Sequence, residues 1–255
     1  MPDFFDFVIV GGGIAGLRAA VDLAGAGRVL ILTKAEPAES NTGYAQGGIA
    51  AAVGPDDSPA LHFADTMRAG DGLCDESAVR VLVEQGPAGV RELIAWGAAF
   101  ARAADGSLEL GREAAHSVRR VLHAGDATGR EIGRTLWNRV AGLSSVSTID
   151  HALVTELIVD DGRVGGVAYF DRNGRRLEVH ARATLLATGG AGQVFSETTN
   201  PAVASKAAPN EARPARDLLI TGTLHSLGDE QGDRSGEGTG SLSSNKTAGQ
   251  CTTTG

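Results

Sequence analysis

The chain has 255 residues, 42% of them hydrophobic, with a formal net charge of −8 and a pI of about 5.2. That length suits one large domain or two small ones, and the acidic balance argues against broad binding to nucleic acid or anionic membrane. Cys74 and Cys251 form neither a metal motif nor a disulfide framework, "MPDFFDFVIV" lacks a basic n-region, and no apolar run reaches a bilayer span, so a soluble protein of a reducing cytoplasm is expected.

Phe5 to Val10 is a short apolar run of the kind a buried parallel strand shows. "GGGIAG" follows it, and Gly11, Gly13 and Gly16 fit the G-x-G-x-x-G spacing. "LRAAVDLAGAG" then reads as a helix with Leu17, Ala20, Val21 and Ala24 on one face, and "RVLILT" as a second strand. This order of strand, turn, helix and strand is what a dinucleotide cradle requires. Gly11 permits the tight turn, Gly13 lets backbone approach a pyrophosphate, and Gly16 allows close helix–sheet packing. The second strand ends in Thr33-Lys34 rather than in the usual acid. Lys34 suits a 2′-phosphate, a ribose contact or plain solvation, and the fingerprint alone does not choose between a nicotinamide and a flavin.

"SNTGYAQGGIAAAV" comes next, apolar for a loop and short of side chains. Gly43, Gly47 and Gly48 leave flat backbone, while Asn41, Thr42, Tyr44 and Gln46 supply hydrogen-bonding groups. Loop glycines are commonly plain turns. Directly after a dinucleotide unit, this loop reads as a second cofactor wall, such as an isoalloxazine ring and its ribityl chain need.

Residues 59–98 read as helices, with Pro87 starting a new one or kinking it, Cys74 packed in the connecting loop and His62 structural or exposed. "LGREAAHSVRRVLHAGDATGRE" concentrates Arg112, Glu113, His116, Arg119, Arg120, His123, Asp126, Arg130 and Glu131. Such a run is either a solvated charged face or a recognition site for a small anion. Its "DATGRE" resembles a helix start capped by Asp126 or Thr128. From Val146 the pattern turns to strands, with "DDGR" and "RNGR" as hairpin turns and "ATLLATGG" returning to the parallel sheet. His151 and His180 fall among these strands as structural residues. After Ala204 the composition changes: Gly, Ser and Thr dominate from Gly236 on, and only "RDLLITGTLHSL" suits a short element. Residues 205–255 are therefore expected to be a low-complexity tail without a packed core.

Six motifs in one order, "GGGIAGL", "LTK", "SNTGYAQGGIAA", "REAAHSVRRVLHAGDATGRE", "LATGGAGQVF" and "TTNPAVA", resemble the L-aspartate oxidases. These belong to the flavoprotein family of succinate dehydrogenase and fumarate reductase. The resemblance covers residues 1–204. It implies an α/β fold: a doubly wound, Rossmann-like FAD-binding domain with a β-meander, cut short before its last portion and its capping domain. A truncation, a shifted frame or a gene fragment would each produce such a break.

The resemblance also implies FAD contacts at Gly11, Gly12, Gly13, Ile14, Ala15, Gly16 and Lys34. Further contacts fall at Asn41, Thr42, Gly43, Tyr44, Ala45, Gln46, Gly47 and Gly48, at Leu153 and Val154 near the adenine, and at Ala187, Thr188 and Gly189. Relatives with covalent flavin carry histidine where this chain has Asn41, so the implied FAD is non-covalent. Glu113 matches the glutamate that faces the substrate amino group, although Ala114-Ala115 stands where the family more often has Gly-Gly. The implied chemistry is oxidation of L-aspartate to iminoaspartate, with O2 or fumarate reoxidising the flavin. It is the first step of NAD biosynthesis, with quinolinate synthase as the next enzyme and a possible partner. No metal, nucleic acid or membrane is implied. The chain itself is expected to be an impaired or inactive fragment. The alternatives are a fumarate reductase or succinate dehydrogenase flavoprotein and a non-catalytic nucleotide-binding fragment.

Overall fold

A computed structural model describes residues 4–37, 39–113, 115–198, 200–204 and 218–220. In chain order the elements are β1 (Phe4–Val10), α1 (Ile14–Leu23), β2 (Val29–Leu32), the single turn α2 (Asn41–Tyr44) and β3 (Ile49–Ala50). Next come α3 (Pro59–Ala69), α4 (Glu76–Ala95), β4 (Leu110–Gly111), β5 (Val121–Leu122) and α5 (Thr128–Ala141). The chain continues through β6 (Val146–Ile149), β7 (Leu153–Asp160), β8 (Arg163–Phe170), β9 (Arg176–Leu186) and β10 (Leu218–Ile220).

The main sheet has seven strands. β1 lies at its centre, parallel to β2 on one side and to β9 on the other, and β2 is followed by β6, also parallel. β9 is long enough to serve two partners. Its first half pairs antiparallel with β8, from Arg176 to His180, and its second half pairs parallel with β10, from Thr184 to Leu186. The expected "DDGR" and "RNGR" turns join β7 to β8 and β8 to β9. Both carry the backbone such turns need: Asp161 and Gly162 have φ of 45° and 74°, and Gly174 has 73°. The short element expected within "RDLLITGTLHSL" is β10; the remainder of the low-complexity tail lies outside the described residues.

Alternation along the central strands builds two cores. Ile9, Val29, Ile31, Leu185 and Ala187 face a layer that includes Leu17 and Ala20 of α1, Val90 of α4 and Ile132, Leu136 and Val140 of α5. Val8, Val10, Leu30, Leu32 and Leu186 face the other way, against Val154, Val167 and Tyr169 of the β7–β8 hairpin. One face of the sheet is thus covered by helices and the other by the meander. The result is the mixed, parallel-dominated α/β sheet that the sequence led us to expect.

α3 and α4 start on side-chain caps, Ser58 accepting from the Leu61 amide and Asp75 from the Ala78 amide. α4 continues through Pro87 as one helix of 20 residues rather than restarting there. Its buried stripe of Val79, Val83, Pro87 and Val90 offsets the hydrogen bond that proline cannot donate. β3, β5 and β4 form a separate three-stranded antiparallel sheet beside the main one.

Candidate functional site

The sheet's connections change direction at β1: α1 leads to β2 on one side, while β9 lies on the other. A crevice opens outside the carboxyl ends of the strands at such a switch point. Here it is a cleft of about 220 Å³. Val10, Leu32 and Ala187 mark the strand ends, Gly11 to Ala15 form its floor, and Thr33 and Lys34 one wall. Glu39 to Thr42, Ala152 and Val154, and Thr188 to Gly190 with Val203 and Ala204 complete the lining.

At Gly11 and Gly12 the floor has no room for a side chain, whereas a Cβ on Gly13 would meet only Thr42 Oγ1 at 3.9 Å. Gly11 has φ of 115°, in the region that favours glycine, and a Cβ there would collide with the Ala187 carbonyl oxygen. A Cβ on Gly12 would stand 2.7 Å from Cζ2 of Trp137. Gly16 does not line the cleft; it packs α1 onto the turn so closely that a Cβ would run into the Gly11 carbonyl oxygen. α1 begins with Gly13 as cap residue, no side-chain cap and no acidic residue in its first turn. Its first amides and the positive end of its dipole therefore face the cleft without internal compensation, which suits an anion. Lys34 is half-buried at the wall, and burial lowers the pKa of its ammonium.

The Ser40–Thr42 wall is a helical turn, not an irregular loop. Ser40 caps α2, its carbonyl accepting the Gly43 amide at 2.9 Å and its hydroxyl the same amide at 3.4 Å. The Tyr44 hydroxyl donates to Glu39 at 3.1 Å, and that hydrogen bond raises the tyrosine pKa. Glu39 is a cleft carboxylate that sequence reading missed, because it lies several residues past the end of the second strand where an acid is sought. Gly43 to Gly48 run on from this wall without lining the cleft. Tyr44 through Gly48 are exposed, and a Cβ on Gly48 would collide with Val121. Leu153 is likewise exposed at the start of β7, beside buried Val154.

Glu113 is exposed, two residues past β4. The small sheet sets the β4 end next to β5, and β5 next to β3, the strand that follows the Tyr44–Gly48 strip. The cations around Glu113 do not act as one patch. Arg120 is wholly buried, its guanidinium donating to both Asp57 oxygens at 2.9 Å and to Asp65 at 2.8 Å. It is a structural ion-pair centre rather than an open cation for a small anion. Asp65 also accepts from the Ser117 amide and hydroxyl, at 2.8 and 2.7 Å, and from Arg68 at 2.6 Å. Burial alone would raise the Asp65 carboxyl; the Ser117, Arg120 and Arg68 hydrogen bonds outweigh it and hold the pKa well below the usual range.

Arg120 also lies 3.1 Å from His116 Nδ1. A guanidinium only donates, so Nδ1 accepts and the His116 proton sits on Nε2. His62, expected to be structural or exposed, is buried and meets the His116 ring edge-on at 5.6 Å between centroids. Burial, and then Arg120, lowers its pKa to about 4. The expected caps of α5 are not used as such. Asp126 is exposed, the cap position is Ala127 without a side-chain bond, and the Thr128 hydroxyl accepts the Ala124 amide at 3.0 Å. Glu131 is held by Arg134 and by the Ala99 amide.

A family model described as FAD binding domain matches residues 6–233. An L-aspartate oxidase of Streptomyces coelicolor is 48% identical over 207 residues, covering 78% of this chain and 36% of that protein. A chloroplastic L-aspartate oxidase of Oryza sativa subsp. japonica is 45% identical over 207 residues, covering 79% of this chain and 32% of that protein. The chain therefore spans about a third of the length of these relatives. Among solved structures, a variant of E. coli quinol fumarate reductase FrdA superposes with a TM-score of 0.76 at 34% identity, covering 80% of this chain and 36% of that one.

Proposed function

The chain belongs to the FAD binding domain family, and from that premise we propose that it supplies the FAD-binding part of a flavin-dependent L-aspartate oxidase. The observation that carries the first half is the cleft at the switch point of the sheet. Its floor has no room for side chains at Gly11 and Gly12, and an uncapped helix start points its amides into it. Gly11 to Ala15 would hold the diphosphate of FAD there. Lys34 and Val154 would flank the adenosine end, and Asn41, Thr42 and Ala187 to Gly189 the ribityl end. The exposed Tyr44–Gly48 strip would continue as the seat of the ring. When bound, FAD supplies a hydride acceptor. Asn41 has no imidazole to link to it, so the flavin is held non-covalently.

Support for L-aspartate as the substrate comes from similarity to L-aspartate oxidases over 207 residues. Within that span Glu113 is an exposed carboxylate able to face an ammonium group. O2 or fumarate would take the electrons, and the iminoaspartate formed would pass to quinolinate synthase in NAD biosynthesis. No helix among the described residues is long and apolar enough to cross a membrane. The test loads the chain with FAD, adds L-aspartate or succinate without oxygen, and records the flavin absorption band. A shift of the band with L-aspartate alone, lost in Glu113→Gln, is expected; an equal response to succinate would refute L-aspartate as the substrate and favour a succinate dehydrogenase-type protein.

A further inference from the structure

We propose that Gly129, in the first turn of α5, is a positioning residue for the FAD cleft: it sets the place of the Ser40–Ala45 turn, and so of the Asn41–Thr42 wall. The inference rests on the FAD reading above but concerns a residue outside the cleft lining. α5 starts directly against α2. The Gly129 amide donates to the Ala45 carbonyl at 3.0 Å. Gly129 is buried, and there is no room for a side chain on it. A Cβ would collide with the Thr42 carbonyl oxygen and would stand 2.7 Å from Ala45 Cβ and 2.8 Å from the Ala45 carbonyl oxygen.

Two of these three obstacles are backbone atoms, which no change of rotamer removes. Any side chain at position 129 must therefore move the turn as a body. Asn41 and Thr42, which line the cleft, belong to that turn. One helical turn further along α5, Gly133 faces the same wall differently. A Cβ there would meet Thr42 Cγ2 at 3.6 Å, an ordinary van der Waals contact. The two glycines share a helix and differ in whether the cleft wall must shift.

The experiment measures FAD affinity by quenching of flavin fluorescence in the 255-residue chain and in its Gly129→Ala and Gly133→Ala variants. Thermal unfolding of each without FAD is the second readout. Forcing a methyl into a filled contact is expected to weaken FAD about tenfold or more in Gly129→Ala. Gly133→Ala should bind as the parent does, with an apo melting temperature no lower than the parent's. Equal affinities for parent and Gly129→Ala would overturn the inference, as would a loss of the same size in Gly133→Ala. If Gly129→Ala does not fold, Ala45→Val crowds the same contact from the exposed side of the turn and leaves α5 intact. It should weaken FAD more than Gly47→Ala, which adds a methyl to the same exposed strip with nothing within 4 Å of it, and an equal effect of the two overturns the inference. Failure of the parent chain to bind FAD would instead contradict the FAD reading itself.

Discussion

At the scale of single residues, the cleft is defined by where side chains are excluded. Gly11 combines a left-handed φ of 115° with a Cβ direction blocked by the Ala187 carbonyl. Gly11→Ala is therefore expected to abolish FAD binding and to destabilise the fold by about 1–3 kcal/mol through backbone strain; isothermal titration and urea unfolding read the two effects separately. Asn41 makes a different prediction. Acid precipitation of the FAD-loaded chain should leave the yellow colour in the supernatant, and colour that stays with the pellet would refute non-covalent attachment. The roles of Gly11 and Gly16 were legible because G-x-G-x-x-G sits between an apolar run and a helical pattern, so local sequence carries the whole constraint. Gly129 was not legible. Its obstacles, Thr42 and Ala45, lie more than eighty positions earlier in the chain, and nothing near "DATGRE" announces them.

At the scale of elements, the buried centre around Arg120 ties the Glu113-bearing segment to α3. Arg120 and its partners Asp57 and Asp65 are each almost wholly buried. Replacing Arg120 with Leu removes the cation shared by two buried carboxylates and leaves Asp65 with Arg68 alone, at an expected cost of about 3–5 kcal/mol in denaturant unfolding. This segment read as anion recognition or a solvated face because its charges are dense. The partners of Arg120 are 55 and 63 positions away, and a sequence pattern does not show which arginine they will claim. The α2 turn escaped for the same reason, and so did the choice between a restart and a kink at Pro87: each depends on what packs against it. The hairpin turns did not, since Asp-Gly and Asn-Gly are local signals.

The histidines beside Arg120 give the element a pH signature. His62 has a folded pKa of about 4 against an ordinary 6.5, through burial and then Arg120. A depressed basic group binds fewer protons in the folded than in the unfolded chain. Its neutral form is favoured fully above pH 6.5, and stability falls as pH drops from 6.5 towards 4. His116, shifted in the same direction by burial and Arg120, adds to it. Asp65 acts lower: its ordinary pKa is 3.8 and its folded one is depressed, so its contribution is lost only as pH falls below that range. Melting temperatures should therefore drop between pH 6.5 and 4.5, and His62→Gln should drop less than the parent. An equal drop in both would show that His62 does not carry the effect.

At the scale of the whole molecule, a parallel sheet centred on β1 brings distant segments to one cleft: the β1–α1 turn, the end of β2, the α2 turn and the end of β9. β9 has a double role, pairing with the meander along its first half and with β10 along its second. The strand that ends at the cleft is thus flanked on both sides. A ligand that bridges these segments binds the folded chain and not the unfolded one, so FAD at about a hundred times its Kd should add about 2.7 kcal/mol of stability, measurable as a rise in melting temperature. The most direct measurement is a titration of the 255-residue chain with FAD, followed by flavin fluorescence, beside its Gly11→Ala variant. Saturable quenching at one FAD per chain, lost in Gly11→Ala, is the predicted result; no quenching by the parent chain, or quenching that Gly11→Ala leaves unchanged, would contradict an FAD site at this cleft.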